Sequence, residues 1–246
     1  MKKLTWIFAL LFLTFVGDRI GGFFFQKLTE KSQFRYSRIY NGSADADILF
    51  VGNLRGLMFY QPHIEGVTGL NTLNISYNGM PMDLANVIVQ DHFDKNQLPK
   101  VMVLDVTMID RMNESLVSGF SCYRPCSERL NELILNTSPK NYYGGNLSHL
   151  FLYNSEIFQR ALYYLGKSDE DWLLDREMPQ NVADLIGEEA PYTITTKDYL
   201  VENLRDLVKS AQDKGIEVRL VVNPYYPPFA EKITNLNEII DLVEDA

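Results

Sequence analysis

A chain of 246 residues, 46% hydrophobic and 22% charged, has room for one sizeable folded domain plus an anchor and too little for two full domains. Its formal net charge of -9 excludes an ordinary nucleic-acid binder, because a phosphate backbone is met by a basic surface. Two cysteines and three histidines, with no cluster among them, argue against a zinc site and against any other metal or cofactor centre.

Lys2 and Lys3 precede an apolar run from Leu4 to Val16, which resumes as Ile20-Gly21-Gly22-Phe23-Phe24-Phe25 after Asp18 and Arg19. A bilayer crossing needs roughly 20 residues, and the resumed run supplies that length. No A-x-A pattern follows Val16, so residues 1–25 read as a retained anchor in preference to a cleaved signal peptide. Lysines before the span place the N-terminus inside and the remainder outside. Residues 26–44 read as a juxtamembrane linker, helical from Gln26 to Tyr40 and broken by Asn41-Gly42-Ser43.

From residue 45 to 246 the pattern alternates strands and helices. Apolar runs predict strands at Asp47–Gly52, Thr72–Ser76, Val101–Val106 and Glu217–Val222. The first, third and fourth show little polar alternation, as in strands covered on both faces. Pro81 opens a helix reaching Phe93. Residues 113–194 form a long, largely helical insertion, within which Ser127 caps a helix carrying Leu130, Leu133 and Ile134. In the same insertion Cys122 and Cys126 either close a small disulfide loop or remain two free thiols. Thr195 and Asp198 resemble a capping box before a helix that Gly215 ends, and a last helix runs from Phe229 to Val243. His63 and His92 lie in polar helical surroundings and are expected at the surface. The pattern predicts an α/β fold with a doubly wound parallel sheet.

Ligands of such sheets sit beyond the carboxyl ends of the strands. The first strand delivers Gly52, Asn53, Leu54 and Arg55; the second delivers Ser76, Asn78 and Gly79; the fourth delivers Asn223 and Tyr225. Arg55 is either a solvated residue at the start of a helix or a cation that holds a carboxylate or acyl oxygen. The Ser76 backbone N–H is a candidate oxyanion donor, and Tyr225, in a segment between prolines, is either part of a rigid packing corner or an aromatic wall for a sugar or acyl chain.

A strand followed by Gly52-Asn53, then a second strand ending near Ser76, Asn78 and Gly79, resembles the SGNH (GDSL-type) hydrolases, in particular anchored members of bacterial envelopes. The resemblance covers roughly residues 45–228. It implies a flavodoxin-like three-layer α/β/α fold and acyl chemistry on cell-surface polymers. Carried over position by position, however, the nucleophilic serine is replaced by Leu54, and Asp105-Val106-Thr107 stands where the family has Gly-x-Asn-Asp. No D-x-x-H segment occurs, and His63, His92 and His149 all precede the fourth strand. The resemblance therefore implies a single-pass inner-membrane protein facing the periplasm or cell exterior, related to esterases and acyltransferases but without catalytic residues. Two alternatives stand beside it. One is a non-enzymatic module binding a glycan or an acylated polymer; the other is a fragment or mutated copy of an active enzyme, the chain ending at Ala246 about where the family's last strand would begin.

Overall fold

The computed structural model describes residues 2–169, 180–181, 184–185, 190–223 and 225–244. They form two compact units: one comprises residues 1–44, 94–96 and 114–169, the other residues 45–93, 97–113 and 170–246.

The first unit is helical. Helix α1 (Lys2–Lys31) is followed by α2 (Arg35–Asn41). The single linker helix expected from Gln26 to Tyr40 is thus two helices, and Ser32 makes the break. Its hydroxyl donates to the Ala161 carbonyl (2.6 Å) and accepts from the Phe34 N–H (3.0 Å), while the Gln33 N–H bonds the Tyr164 carbonyl (3.1 Å). Residues 114–163 supply α5 (Glu114–Gly119), α6 (Glu128–Thr137), α7 (Pro139–Leu147) and α8 (Glu156–Tyr163), with 3-10 turns at Phe120–Cys126 and Leu150–Tyr153. Ser127 caps α6 as expected, its hydroxyl accepting from the Leu130 N–H (3.0 Å). An aromatic core holds the unit together: Phe34 meets Tyr36 edge-on at 5.1 Å, Tyr36 meets Phe120 at 4.8 Å, and Phe34 stacks on Tyr164 at 5.6 Å. Cys122 and Cys126 are free thiols, so the loop is not closed by a disulfide; burial pushes the Cys122 thiol well up, away from thiolate chemistry.

The second unit contains a four-stranded, all-parallel sheet of order β2-β1-β3-β4, built from β1 (Ile48–Val51), β2 (Thr72–Asn74), β3 (Val101–Asp105) and β4 (Glu217–Val221). Ile48 pairs with Thr72 on one side and Val101 on the other, and Val101 pairs with Glu217. All four β1 residues are buried, as an apolar strand covered on both faces requires. β4 departs from that expectation. As the edge strand it leaves Glu217 and Arg219 exposed and ion-paired with each other, charges that discourage a further strand from pairing. β2 ends earlier than predicted because the Asn74 side chain takes the Ser76 N–H (3.0 Å), although Ile75 and Tyr77 still donate to Phe50 and Gly52.

Three helix expectations need correction. After α3 (Gln61–Thr68), the helix opened by Pro81 runs from Met82 to Lys95 (α4) and buries His92 completely, so that histidine belongs to the core and not to the surface. The helix Asp198–Asp213 (α9) starts after Lys197, which makes no side-chain cap bond, so the Thr195–Asp198 capping box is not formed. Gly215 does follow the end of that helix, and its φ of +77° is the left-handed conformation that favours glycine there. The expected last helix is two, α10 (Pro227–Ala230) and α11 (Leu236–Glu244). Between them Ile233 bridges Tyr192, the Tyr192 N–H bonds Lys232 O (2.8 Å), and the Asn235 amide grips both backbone groups of Ile194 (2.9 and 2.8 Å). These long-range partners draw 232–235 out of the helix and seat Ile194, Ile233 and Ile239 in a small satellite core.

Candidate functional site

With strand order β2-β1-β3-β4, the chain leaves β1 toward β2 on one side and later returns to β3 on the other. The carboxyl ends of β1 and β3 therefore flank a topological switch point, where parallel sheets place ligands. A cleft of about 550 Å³ opens there. Asn53, Leu54, Arg55, Asn78, Gly79 and Tyr225 line it, together with Met80, Thr107, Asp110, Arg111, Asn113, Tyr192, Ile194 and Phe229.

The turn after β1 is built by close packing. Asn53 Oδ1 accepts from the Arg55 N–H (3.2 Å) and caps a 3-10 turn over Leu54–Met58. The turn lies against the exit of β2: Asn74 Nδ2 donates to Gly56 O (2.8 Å), and a Cβ at Gly56 would stand 2.4 Å from Ser76 Oγ. Only glycine fits that approach. Gly79 combines a left-handed φ of +71° with similar crowding, since a Cβ there would come within 2.7 Å of Asn113 Nδ2.

Asp105, at the end of β3, organises the floor. It is fully buried and accepts from the Thr107 N–H (3.0 Å) and hydroxyl (2.7 Å) on Oδ1, and from Asn223 Nδ2 (2.8 Å) on Oδ2. Thr107 Oγ1 in turn accepts from Asn53 Nδ2 (2.8 Å) and Arg55 Nη2 (2.7 Å). Arg55 Nη1 donates to Asn223 O (3.0 Å), and its guanidinium carbon lies 3.6 Å from the centre of the Tyr225 ring. Asp105 thus orients the cation through Thr107 without touching it. Every direct partner of the Arg55 guanidinium among the described residues is neutral. It carries five N–H donors; Thr107, Asn223 and the Tyr225 phenol accept from it, and the residue lines the cleft. Burial pushes the Tyr225 phenol above its usual range, an effect that neighbouring Arg55 opposes. The cleft's other cation is engaged: Arg111 donates to Asp110 at 3.1 and 2.9 Å, which holds its guanidinium above the usual range.

The structure sorts the sequence candidates into two layers. Asn53, Arg55, Asn78, Gly79 and Tyr225 line the cleft, with Leu54 beside them at 53% exposure. Gly52, Ser76 and Asn223 are buried beneath it. The proposed oxyanion role of the Ser76 N–H is a casualty of this layering, because that donor is committed to Asn74 Oδ1. Sequence reasoning missed Asp105 and Thr107 as organisers and Asp110, Arg111 and Asn113 as wall. The available signal was an acidic residue closing an apolar strand with a threonine two positions later, the pattern of a side-chain-capped turn. No serine, cysteine or histidine lines the cleft among the described residues, and no group of three or more His, Cys, Asp or Glu side chains there is placed to hold a metal. Comparison with protein-family models, with curated proteins and with solved structures found no match to this chain.

Proposed function

We propose that the chain is a membrane-anchored, extracytoplasmic protein of the bacterial envelope on an SGNH-type scaffold, whose cleft binds an acyl carboxylate or acylated glycan and does not hydrolyse esters. The observation that carries this reading is Arg55, a cation stacked on Tyr225 at the switch point and contacted only by neutral groups among the described residues. A guanidinium so held offers a pre-oriented donor set to a carboxylate. Apolar Leu54, Met80, Ile194 and Phe229 around it suit the chain attached to that carboxylate.

Several features support the scaffold. The strand order agrees with the first four strands of the flavodoxin-like 2-1-3-4-5 arrangement. Gly52-Asn53 follows β1, and Ser76, Asn78 and Gly79 follow β2, as the resemblance implies. Against catalysis stands Leu54, which has no nucleophilic atom, in a lining without a histidine among the described residues to act as base. The Thr107 hydroxyl is spent on Asp105, whose oxygens are already shared with Asn223. Helix α1 is long and apolar enough over Thr5–Lys31 to cross a membrane, and the lysines at its start orient the rest outward.

The test is calorimetric titration of the detergent-solubilised full chain with hexanoate, alongside an assay of p-nitrophenyl acetate hydrolysis. Wild type binds hexanoate saturably, and Arg55→Ala weakens binding by about tenfold or more, the cost of one charge-assisted hydrogen bond. Neither wild type nor Leu54→Ser hydrolyses the ester above the buffer rate. Saturable turnover by either protein, or equal binding by Arg55→Ala, contradicts the reading.

A further inference from the structure

The first unit carries a surface that the cleft does not explain. Asp18, inside the apolar stretch of α1, accepts from Ser148 Oγ and from the backbone N–H groups of His149 (2.8 Å) and Leu150 (3.1 Å). Next to it Arg19 pairs with Asp18 (3.2 Å) and donates to the Leu147 carbonyl (3.4 Å). Gly21 and Gly22 let the turn lie directly on the helix: a Cβ at Gly22 would be 2.4 Å from His149 Cβ, and one at Gly21 would be 2.9 Å from Leu150 Cδ2. The two charges that interrupt the apolar run thus clamp the end of α7 to α1.

Beyond that clamp α1 stays apolar on its outer face. Ile20, Phe23 and Phe24 are 64%, 61% and 58% exposed, and polar residues begin only at Gln26 and Lys27. At 1.5 Å per residue, Asp18 lies about 12 Å along the axis before Gln26. A helix embedded to Phe24 therefore carries Leu147–Leu150 below the level at which it becomes polar. The turn is equipped for that depth. Leu147 is 81% exposed, with Tyr143 exposed one helical turn earlier. Every backbone N–H from Ser148 to Leu152 has a partner within the unit: Gly144 O, Asp18 twice, Ser148 Oγ and His149 O. Paired N–H groups remove part of the cost of taking non-helical chain into lipid, and Asp18 with Arg19 is a neutralised pair, the form in which charge is tolerated there.

We infer that the Leu147–Leu150 turn is a membrane foot, entering the outer leaflet beside α1 so that Leu147 contacts acyl chains at the headgroup boundary. The inference rests on the reading of α1 as a retained span. It is tested with the full chain in vesicles of phosphatidylcholine and phosphatidylglycerol, with Cys126→Ser as background because Cys122 is buried. Spin labels are placed at Leu147→Cys, at Phe12→Cys within the apolar run, and at Glu132→Cys on α6, all positions on the outer surface of the unit. The foot predicts that the label at 147 loses its collisions with a water-soluble nickel chelate and gains collisions with oxygen, as the label at 12 does, while 132 stays chelate-accessible. A label at 147 as chelate-accessible as that at 132, with 12 protected, overturns the foot and leaves the span standing. Chelate access at both 12 and 147 overturns span and foot together.

Discussion

At the scale of single residues the cleft depends on contacts that leave no room for change. Gly56 is the clearest case, because a methyl group there would overlap Ser76 Oγ at 2.4 Å and press on its Cβ at 3.0 Å. Gly56→Ala is expected to cost about 1–3 kcal/mol of stability, the usual penalty for overpacking a dense site. Pairing it with Ser76→Gly, which removes the obstructing side chain, should recover part of that loss in a double-mutant cycle read by denaturant unfolding. Additive losses would mean that the crowding is not between these two residues. The same residues show what the sequence can disclose of a site. Asn53, Arg55, Asn78, Gly79 and Tyr225 were legible because they follow strands, and strand ends are where a parallel sheet exposes its loops. Ser76 and Asn223 follow strands equally well yet face inward, since burial depends on neighbours that strand order alone does not reveal. In the sequence Asp105 stands out only as a departure from a family motif. Its value lies in holding Thr107 and Asn223 together, a relation between residues 105 and 223 that no local pattern encodes.

At the scale of elements, the first unit holds a buried ion pair between Arg35 and Asp169. Asp169 accepts from the Arg35 backbone N–H, Nε and Nη2, each at 2.8 Å, with both side chains almost fully buried. Removing the carboxylate takes three charge-assisted hydrogen bonds from the buried Arg35, so Asp169→Ala is expected to destabilise by about 3–5 kcal/mol in denaturant unfolding. A loss below about 1 kcal/mol would show that these bonds do not hold the unit together. The four strands were legible as short apolar runs, and so was the Ser127 cap, whose chemistry is local. What misled were helices whose fate is settled at a distance. The periodic run from Phe229 to Val243 is interrupted because residues 192 and 194 bind residues 232–235, a contact across some 40 positions of chain. Likewise Ser32 breaks the linker helix through the Ala161 carbonyl. His92 was misplaced for a related reason, since polar neighbours in sequence say little about which face of α4 is covered.

At the scale of the whole molecule, an apolar N-terminal helix accompanies an α/β unit whose switch-point cleft holds a cation and, among its described lining, no nucleophile–base pair. In the proposed function, a tethered protein retains an acyl carboxylate through an oriented guanidinium and an apolar wall. On that proposal Arg55 itself receives the ligand. The most direct test follows the arginine Nε–Hε resonances of the detergent-solubilised full chain during a hexanoate titration, with the Arg55 signal assigned by its loss in Arg55→Lys. The account predicts a saturable shift of the Arg55 resonance, larger than that of any other arginine, with the calorimetric affinity. A resonance that stays still while hexanoate binds, or a larger shift at Arg111, would contradict it.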